Sequence, residues 1–570
     1  MGGGGLMQLV AYGMQDMYLT GNSQITFFKN LYRRHTNFSV EAVEQNFQSA
    51  SAQFGNRLVA VISRNGDLLH RVWLEVELPT DLPLDLTGGA GGVGDTSQTI
   101  STKKYRYVSK LGNALLKSAE VEIGGQRIDK IYGRWEEVWQ GFSKRQDKKA
   151  CFDRLTANHG DNIYGVGANS AAEDLPLAAT ANTTPSSSDA QAWDASCFGT
   201  GVDGETPRAH YPILPERGGG GDNGTYKRVA GGKFKAYLPL NFWFSKGGAG
   251  AALPLIALQH HEVRITIELA KANEILIKHC VNPQSSVASS PPFEGADFYE
   301  APVDAEVSAY GGGAGFQMKS TPKLYGDFYY LDTDERRRFS QMSHEYLVEQ
   351  LQFTGKESFV VSTVGETTTS LRLNFNHPTK AIYFTAEPSN LVSANLEAGL
   401  LPNPFYNGHC HPVRVNNDQR QYMLSQPEGP HDNSPFASVG LMLNGHDRFS
   451  SRSGSYFTWI QPMQHHTRCP PGDVRHGSWC GMYSFCLSPE EHQPSGALNF
   501  SRIDSAQLRM TFKPADVDFS RGHGADSPFG GDGATASKDD GRHSRDVYVY
   551  ALSYNVLRIL SGMGGLAFSN

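Results

Sequence analysis

The chain lacks a net positive charge: 51 Lys and Arg stand against 58 Asp and Glu, a formal charge of -7. A protein that coats nucleic acid needs a basic surface from which counterions are released, so the composition argues against that class. Long apolar runs are missing too, and no stretch approaches the roughly 18 consecutive apolar residues of a membrane-spanning helix. The N-terminus, MGGGGLMQL, has neither the basic start nor the apolar core of a secretory leader. Leu6 stands where a myristoylation signal wants Ser or Thr. A soluble chain outside the usual secretory route is therefore expected. Cysteine is scarce, at 7 in 570 residues. Cys151, Cys197 and Cys280 are scattered, while Cys410, Cys469, Cys480 and Cys486 lie closer together, a usage that suits a reduced compartment better than a disulfide scaffold.

Catalytic signatures are equally sparse. Gly89, Gly91 and Gly94 satisfy GxGxxG, but no strand leads into them and a polar DTSQT follows where a phosphate-binding helix should begin. GxxxxGK[ST], HExxH and GxSxG do not occur. The nearest thing to a metal constellation is His409, Cys410 and His411 with His465, His466, Cys469, Cys480 and Cys486. Those donors suit zinc, yet no CxxC pair fixes a geometry and Pro470-Pro471 interrupts the run, so loop residues and buried thiols are the better reading. The acidic LDTDERRRF run, Leu331 to Phe339, places Arg336, Arg337 and Arg338 beside its carboxylates and reads as a salt-bridged connector. Four glycosylation sequons occur, at Asn37, Asn182, Asn223 and Asn499; only Asn182 and Asn223 fall in expected long loops and are the candidate glycan sites.

What the sequence does have is period-two alternation. In HEVRITIEL, Val263, Ile265, Ile267 and Leu269 point one way and the charged residues the other. VWLEVEL (Val72, Leu74, Val76, Leu78), SLRLNFN (Leu371, Leu373, Phe375) and AQLRMTF (Leu508, Met510, Phe512) repeat the pattern of a half-buried antiparallel strand. Helical spacing is rare, and IDKIYGRWEEVWQGF, Ile128 to Phe142, is the best candidate. At 570 residues and 39% hydrophobic content the chain is long enough for two or more cores. Two features recur in the same order in each half: a turn before a strand (Asn65-Gly66, read as a hairpin, and His377-Pro378) and a glycine turn after one (Gly124-Gly125 and Asn444-Gly445). Their offsets are nearly equal, which suggests one β domain written twice. Low-complexity inserts such as Thr87 to Thr99, about Ala168 to Ala192, RGGGGDNG and YGGGAG separate the strands and are expected as loops projecting from one end of two sandwiches.

Leu19 to Phe38, LTGNSQITFFKNLYRRHTNF, interleaves rings with cations as a single-strand binder would. Together with QLVAYGMQDMY, SRNGDLL, VEIGGQRIDK, LPLIALQHHEV, DFYYLDTDERRRFSQMSHEYLVEQLQFTG, LRLNFNHPTK, LNGHDRFSSRSGSYF and YNVLRILSGMGGLAFSN, this stretch resembles the major capsid proteins of nucleocytoplasmic large DNA viruses of algae and protists. The resemblance runs from near the N-terminus to Asn570, departing chiefly in inserts at about Asn158 to Tyr226 and Lys271 to Lys319.

The resemblance implies an all-β double jelly roll, two tandem eight-stranded antiparallel sandwiches with long loop inserts and short helices. It implies an N-terminal inner-face arm over residues 1–24, a first jelly roll over 25–332, a connector over 333–343 and a second jelly roll over 344–570. The implied role is structural, without catalysis, cofactor or metal: homotrimeric capsomers tile an icosahedral shell assembled in the host cytoplasm, at the virus factory. Partners would be the chain itself, neighbouring capsomers, minor capsid and penton proteins and, indirectly, an internal membrane, with no direct nucleic-acid contact. On this view the aromatics of Leu19 to Phe38 pack under the first barrel, Phe38, Val40 and Ala42 share one strand face, and Arg33 and Arg34 make contacts at the capsomer base. A carbohydrate-binding jelly roll, with a platform at exposed aromatics such as Trp193, and a cupin-like metal enzyme are the competing classes.

Overall fold

The computed structural model describes residues 3–48, 53–79, 103–108, 111–143, 146–157, 233–280, 298–300, 316–361, 366–388, 435–468, 480–513 and 544–568. The first half contains β1 (Phe38–Gln45), β2 (Arg57–Val61), β3 (Leu68–Pro79), β4 (Lys103–Tyr107), β5 (Leu116–Ile123) and β6 (Gln126–Tyr132). It continues with β7 (Lys233–Pro239), β8 (Leu253–Pro254), β9 (Val263–Leu269), β10 (Leu276–Cys280), β11 (Phe298–Glu300) and β12 (Lys323–Leu331). The second half contains β13 (His344–Val360), β14 (Thr367–Arg372), β15 (Pro378–Pro388), β16 (Phe436–Leu443) and β17 (His446–Ser453). It ends with β18 (Cys480–Ser484), β19 (Leu498–Asn499), β20 (Ala506–Phe512), β21 (Ser544–Leu560) and β22 (Met563–Leu566).

Apart from a small sheet β11-β10-β4 in the first half, these strands form one pattern twice. In the first half β1-β12-β3-β7 faces β2-β9-β5-β6; in the second, β13-β21-β15-β18 faces β14-β20-β16-β17. Even the minor strands correspond, because β8 extends β3 as β19 extends β15. The first strand of each half lies beside the last and the chain alternates between the facing sheets, which is the jelly-roll topology. Both copies turn their second sheet's hairpin through two left-handed residues, Gly124 and Gly125 (φ 58° and 82°) and Asn444 and Gly445 (φ 50° and 81°). Such a pair makes the primed turn whose twist matches its flanking strands. The alternating residues of the sequence fill the two cores: Val72, Leu74, Val76, Ile265 and Ile267 in the first, Leu371, Leu508, Met510 and Phe512 in the second.

The strand registers place the inserts. Gln45 pairs with Leu324 and Pro79 with Lys233, while Arg57 pairs with Glu268 and Leu116 with Leu269. The strand ends flanking residues 80–102, 158–232 and 281–297 therefore lie at one end of the first barrel. Val360 pairs with Ser544, Thr385 with Cys480 and Phe436 with Phe512, which puts the corresponding ends of the second barrel together as well. Phe38 pairs with Leu331, so the N-terminal arm enters at the opposite end.

Three local expectations are corrected. Asn65-Gly66 is no hairpin: β2 pairs with β9 and β3 with β12, so the turn crosses between facing sheets. Its glycine is needed for closeness, since a Cβ there would stand 2.6 Å from the Phe328 Cβ. The helix expected over Ile128 to Phe142 begins only at Gly133, because Ile128 and Ile131 belong to β6 and point into the core. Gly133 makes that switch at close quarters, where a Cβ would sit 2.0 Å from the Leu116 carbonyl oxygen. The aromatics between Leu19 and Phe38 do not pack under the barrel: Phe27 and Tyr32 are exposed and Phe28 is 98% exposed. β1 leaves even Phe38 and Val40 half uncovered.

Candidate assembly site: the seam between the barrels

The helix Gly133–Ser143 leaves the first barrel and lies on the second. Trp135, Val138, Trp139 and Phe142 recur at helical spacing and so form a single apolar face. That face is buried against Ala381 and Tyr383 of β15, Tyr550 and Leu552 of β21, and Cys480 and Met482 of β18. The rings meet at angles rather than in sandwiches, Trp135 to Tyr383 at 5.1 Å and 73° and Phe142 to Tyr383 at 5.4 Å and 57°, as aromatic quadrupoles prefer. Lys246 reaches over from the first barrel, its Nζ 4.7 Å from the Trp139 ring centre. Below the helix, β13 and β21 run 17 residues each and overhang the first barrel, where Val348, Leu557 and Ile559 join its core.

Most polar groups in the seam are paired, although the Trp135 indole N–H is buried without a hydrogen-bond partner. Gln350 Nε2 donates to the Ile128 carbonyl. Asp129 Oδ1 accepts from the Lys130 amide at 2.9 Å and, across the seam, from the Leu351 amide at 3.3 Å. Lys380, with no exposed side-chain surface, donates to Glu349 at 2.7 Å and to the Glu491 carbonyl at 2.8 Å. Burial pulls the Glu349 carboxyl up, but the His492 hydrogen bond and the Lys380 charge outweigh it and hold the group below its ordinary range. His466 is sealed beneath Phe142, with Nδ1 2.7 Å from Glu490 and Nε2 3.0 Å from the Tyr383 hydroxyl. Burial lowers its pKa, so the ring is neutral near pH 7, Nδ1–H donating to Glu490 and Nε2 accepting from Tyr383. Trp139 and Phe142 pack against the Tyr383 and His466 rings, and the Tyr383-His466-Glu490 chain ties β15 to the segment after β18 beneath the helix.

Asp129 gives the seam a pH dependence. Burial pushes its carboxyl up to about 7, against the lowering influence of Lys246 and the two amides. The folded protein thus holds a proton there that the unfolded chain releases near the ordinary value of 3.8, so this contribution is full below that pH and is lost as pH rises through 7. Asp129→Asn keeps the acceptor without the buried charge. Its melting temperature should gain on the wild type from pH 5 to pH 8.5, for an expected difference of about 2–3 kcal/mol; a gap that does not change with pH would contradict this.

The residues singled out in the sequence are mostly elsewhere. Arg33 and Arg34 lie exposed just before β1, and Asn182, Asn223 and Trp193 lie outside the described residues. Of the metal-like set, His466 and Cys480 are in the seam, while His409, Cys410, His411 and Cys469 lie outside the described residues. No group of three metal-capable side chains is assembled among the described residues. Asp332 caps the helix Thr333–Gln341, and Arg336 pairs with Asp67 at 3.1 Å, so the acidic run is a connector helix tied to the first barrel. The seam pairs themselves were hidden in the sequence; the one signal was the rare helical spacing of the two tryptophans.

Comparison with known proteins fits this architecture. The profile described as "Large eukaryotic DNA virus major capsid protein" matches residues 335–565, and "Major capsid protein N-terminus" matches 26–332. The chain belongs to the major capsid proteins of large eukaryotic DNA viruses. The major capsid protein of Phaeocystis pouchetii virus is 34% identical, and that of Paramecium bursaria Chlorella virus 1 is 33% identical, each match covering 100% of both chains. Among solved structures, the quasi-atomic model of the PBCV-1 virus capsid superposes with a TM-score of 0.59 at 29% identity, over 96% of this chain and 100% of that one. The Faustovirus major capsid protein shares the fold, with a TM-score of 0.55 at 13% identity over 96% and 94%. The protein is thus a double jelly-roll component of a virion capsid.

Proposed function

We propose that the capsid protein trimerises into a capsomer of pseudo-hexagonal outline and tiles the icosahedral shell of a large DNA virus. The observation that carries this reading is the repetition of one barrel, in the same strand order, within one chain, joined by a buried aromatic seam. Three such chains around a threefold axis present six near-equivalent wedges, the outline that fills a hexagonal lattice. Residues 1–24 serve as the inner-face arm, 25–332 and 344–570 as the barrels and 333–343 as the connector. The insert-bearing ends face outward, where Asn182 and Asn223 would meet glycosylating machinery. The arm enters at the opposite end, where the start of the first jelly-roll segment brings Arg33 and Arg34 to the capsomer base beside minor capsid and penton proteins, above an internal membrane the chain does not itself enter. Assembly takes place in the host cytoplasm, at the virus factory, with neither catalysis nor contact with nucleic acid. The purified protein should elute with about three times its 62.4 kDa mass in light scattering. Arg33→Ala with Arg34→Ala should keep that mass and lower the yield of assembled shells on sedimentation. A stable monomer at micromolar concentration would refute the reading.

A further inference from the structure

The intramolecular seam has an unfilled counterpart at each end of the chain. The second barrel carries its own helical segment, Tyr456–Ile460 continuing into Gln461–His465, at the place where the first barrel carries Gly133–Ser143. Each follows the last strand of the second sheet's hairpin, and each starts at a glycine with no room for a side chain. A Cβ at Gly133 would stand 2.0 Å from the carbonyl oxygen of Leu116, the first residue of β5; one at Gly454 would stand 2.2 Å from that of Phe436, the first residue of β16. Counting from those glycines, Trp135, Trp139 and Phe142 correspond to Tyr456, Ile460 and Met463. The first three are buried on the second barrel; Ile460 is 46% and Met463 81% exposed, while Tyr456 is half-buried, one side of it packed on its own barrel's core.

The receiving face is duplicated as well. Leu68 pairs with Pro254 as Pro378 pairs with Asn499, which aligns β3 with β15 residue by residue. Trp73 then stands where Tyr383 stands. Tyr325, opposite Trp73, stands where Tyr550 does, and Pro239 takes the place of Met482. Tyr383, Tyr550 and Met482 are sealed under the first barrel's helix, whereas Trp73, Tyr325 and Pro239 remain half-buried on an open face.

We infer that the segment Tyr456–His465 of one copy docks on the outer face of β1-β12-β3-β7 of the next copy, with Met463 against Trp73 and Tyr456 against Tyr325. The occupant is a second copy of this chain, because the chain already contains both halves of the contact in a working, buried form. The contact is head-to-tail, so it closes only as a ring. Three seams within chains would alternate with three between them. The inference rests on the trimer reading above and specifies which surfaces make it.

The test uses the full chain. Ile460→Asp with Met463→Asp alters exposed positions and is expected to leave each chain folded. It should shift light-scattering mass from three chains to one, weakening association at least about 30-fold, the effect of losing one interface anchor. If the wild type is itself a monomer, the trimer reading falls and this inference with it. If the wild type is a trimer and the double variant remains one, only this seam is overturned. A second variant guards against misfolding: Met463→Cys with Trp73→Cys should, on oxidation, give covalent species of two and three chains in denaturing gels. Neither single cysteine should do so above the background from native thiols such as exposed Cys151. A trimer in which the pair fails to link would show that another partner covers these faces, and would overturn the assignment.

Discussion

Trp135→Ala should destabilise the protein by about 3–5 kcal/mol, the range for truncating a large buried aromatic. The side chain is fully buried and touches Trp139, Tyr383 and Tyr550, so its loss opens a cavity between two bodies rather than inside one. Neither barrel core contains Trp135, and each should survive. The expected signature in calorimetry is a lower melting temperature with the barrels still unfolding together, since Val348, Leu557 and Ile559 of the second half remain in the first core. An unchanged melting temperature would show that the aromatic face of the helix contributes nothing to joining the barrels.

Lys380→Met should cost about 3–5 kcal/mol, because it strands a buried carboxylate. Glu349 is nearly as buried as its partner, and only His492, 3.7 Å away, and the charge of Lys246 would remain to offset its charge. Adding Glu349→Leu should recover most of the loss, since the buried pair is needed as a pair and an apolar replacement avoids desolvation altogether. Acidity gives the sign check. Glu349 is held below its ordinary range in the wild type, so the stability it contributes is present above about pH 4.5 and lost as pH falls through its folded value. In Lys380→Met the penalty should shrink on acidification, when Glu349 can protonate. Chemical denaturation at pH 7 and pH 4 reads both effects, and a double variant no more stable than Lys380→Met would contradict the argument.

Much of the fold was legible because burial on one side of a strand imposes a two-residue period. Val263, Ile265, Ile267 and Leu269 announced their strand, and all four are in the first core. The duplication was legible at Gly124-Gly125 and Asn444-Gly445, where left-handed backbone restricts the choice of residue. Strand partners were not legible: Asn65-Gly66 carries a hairpin signal, but pairing is decided by long-range contacts that no local pattern encodes. The seam was half visible. Helical spacing marked the tryptophans, yet nothing near them pointed to Tyr383 or Tyr550, which lie in the other half of the chain. Phe27, Phe28 and Tyr32 were misplaced for a related reason, since an exposed ring looks the same in sequence as one reserved for the core.

The central claim is that two like barrels per chain become six per capsomer. Electron microscopy of the purified protein tests it most directly. Class averages down the long axis should show three chains and six barrel densities around a central axis, in a hexagonal outline. Isolated two-barrel particles, or rings whose chain number is not three, would contradict it.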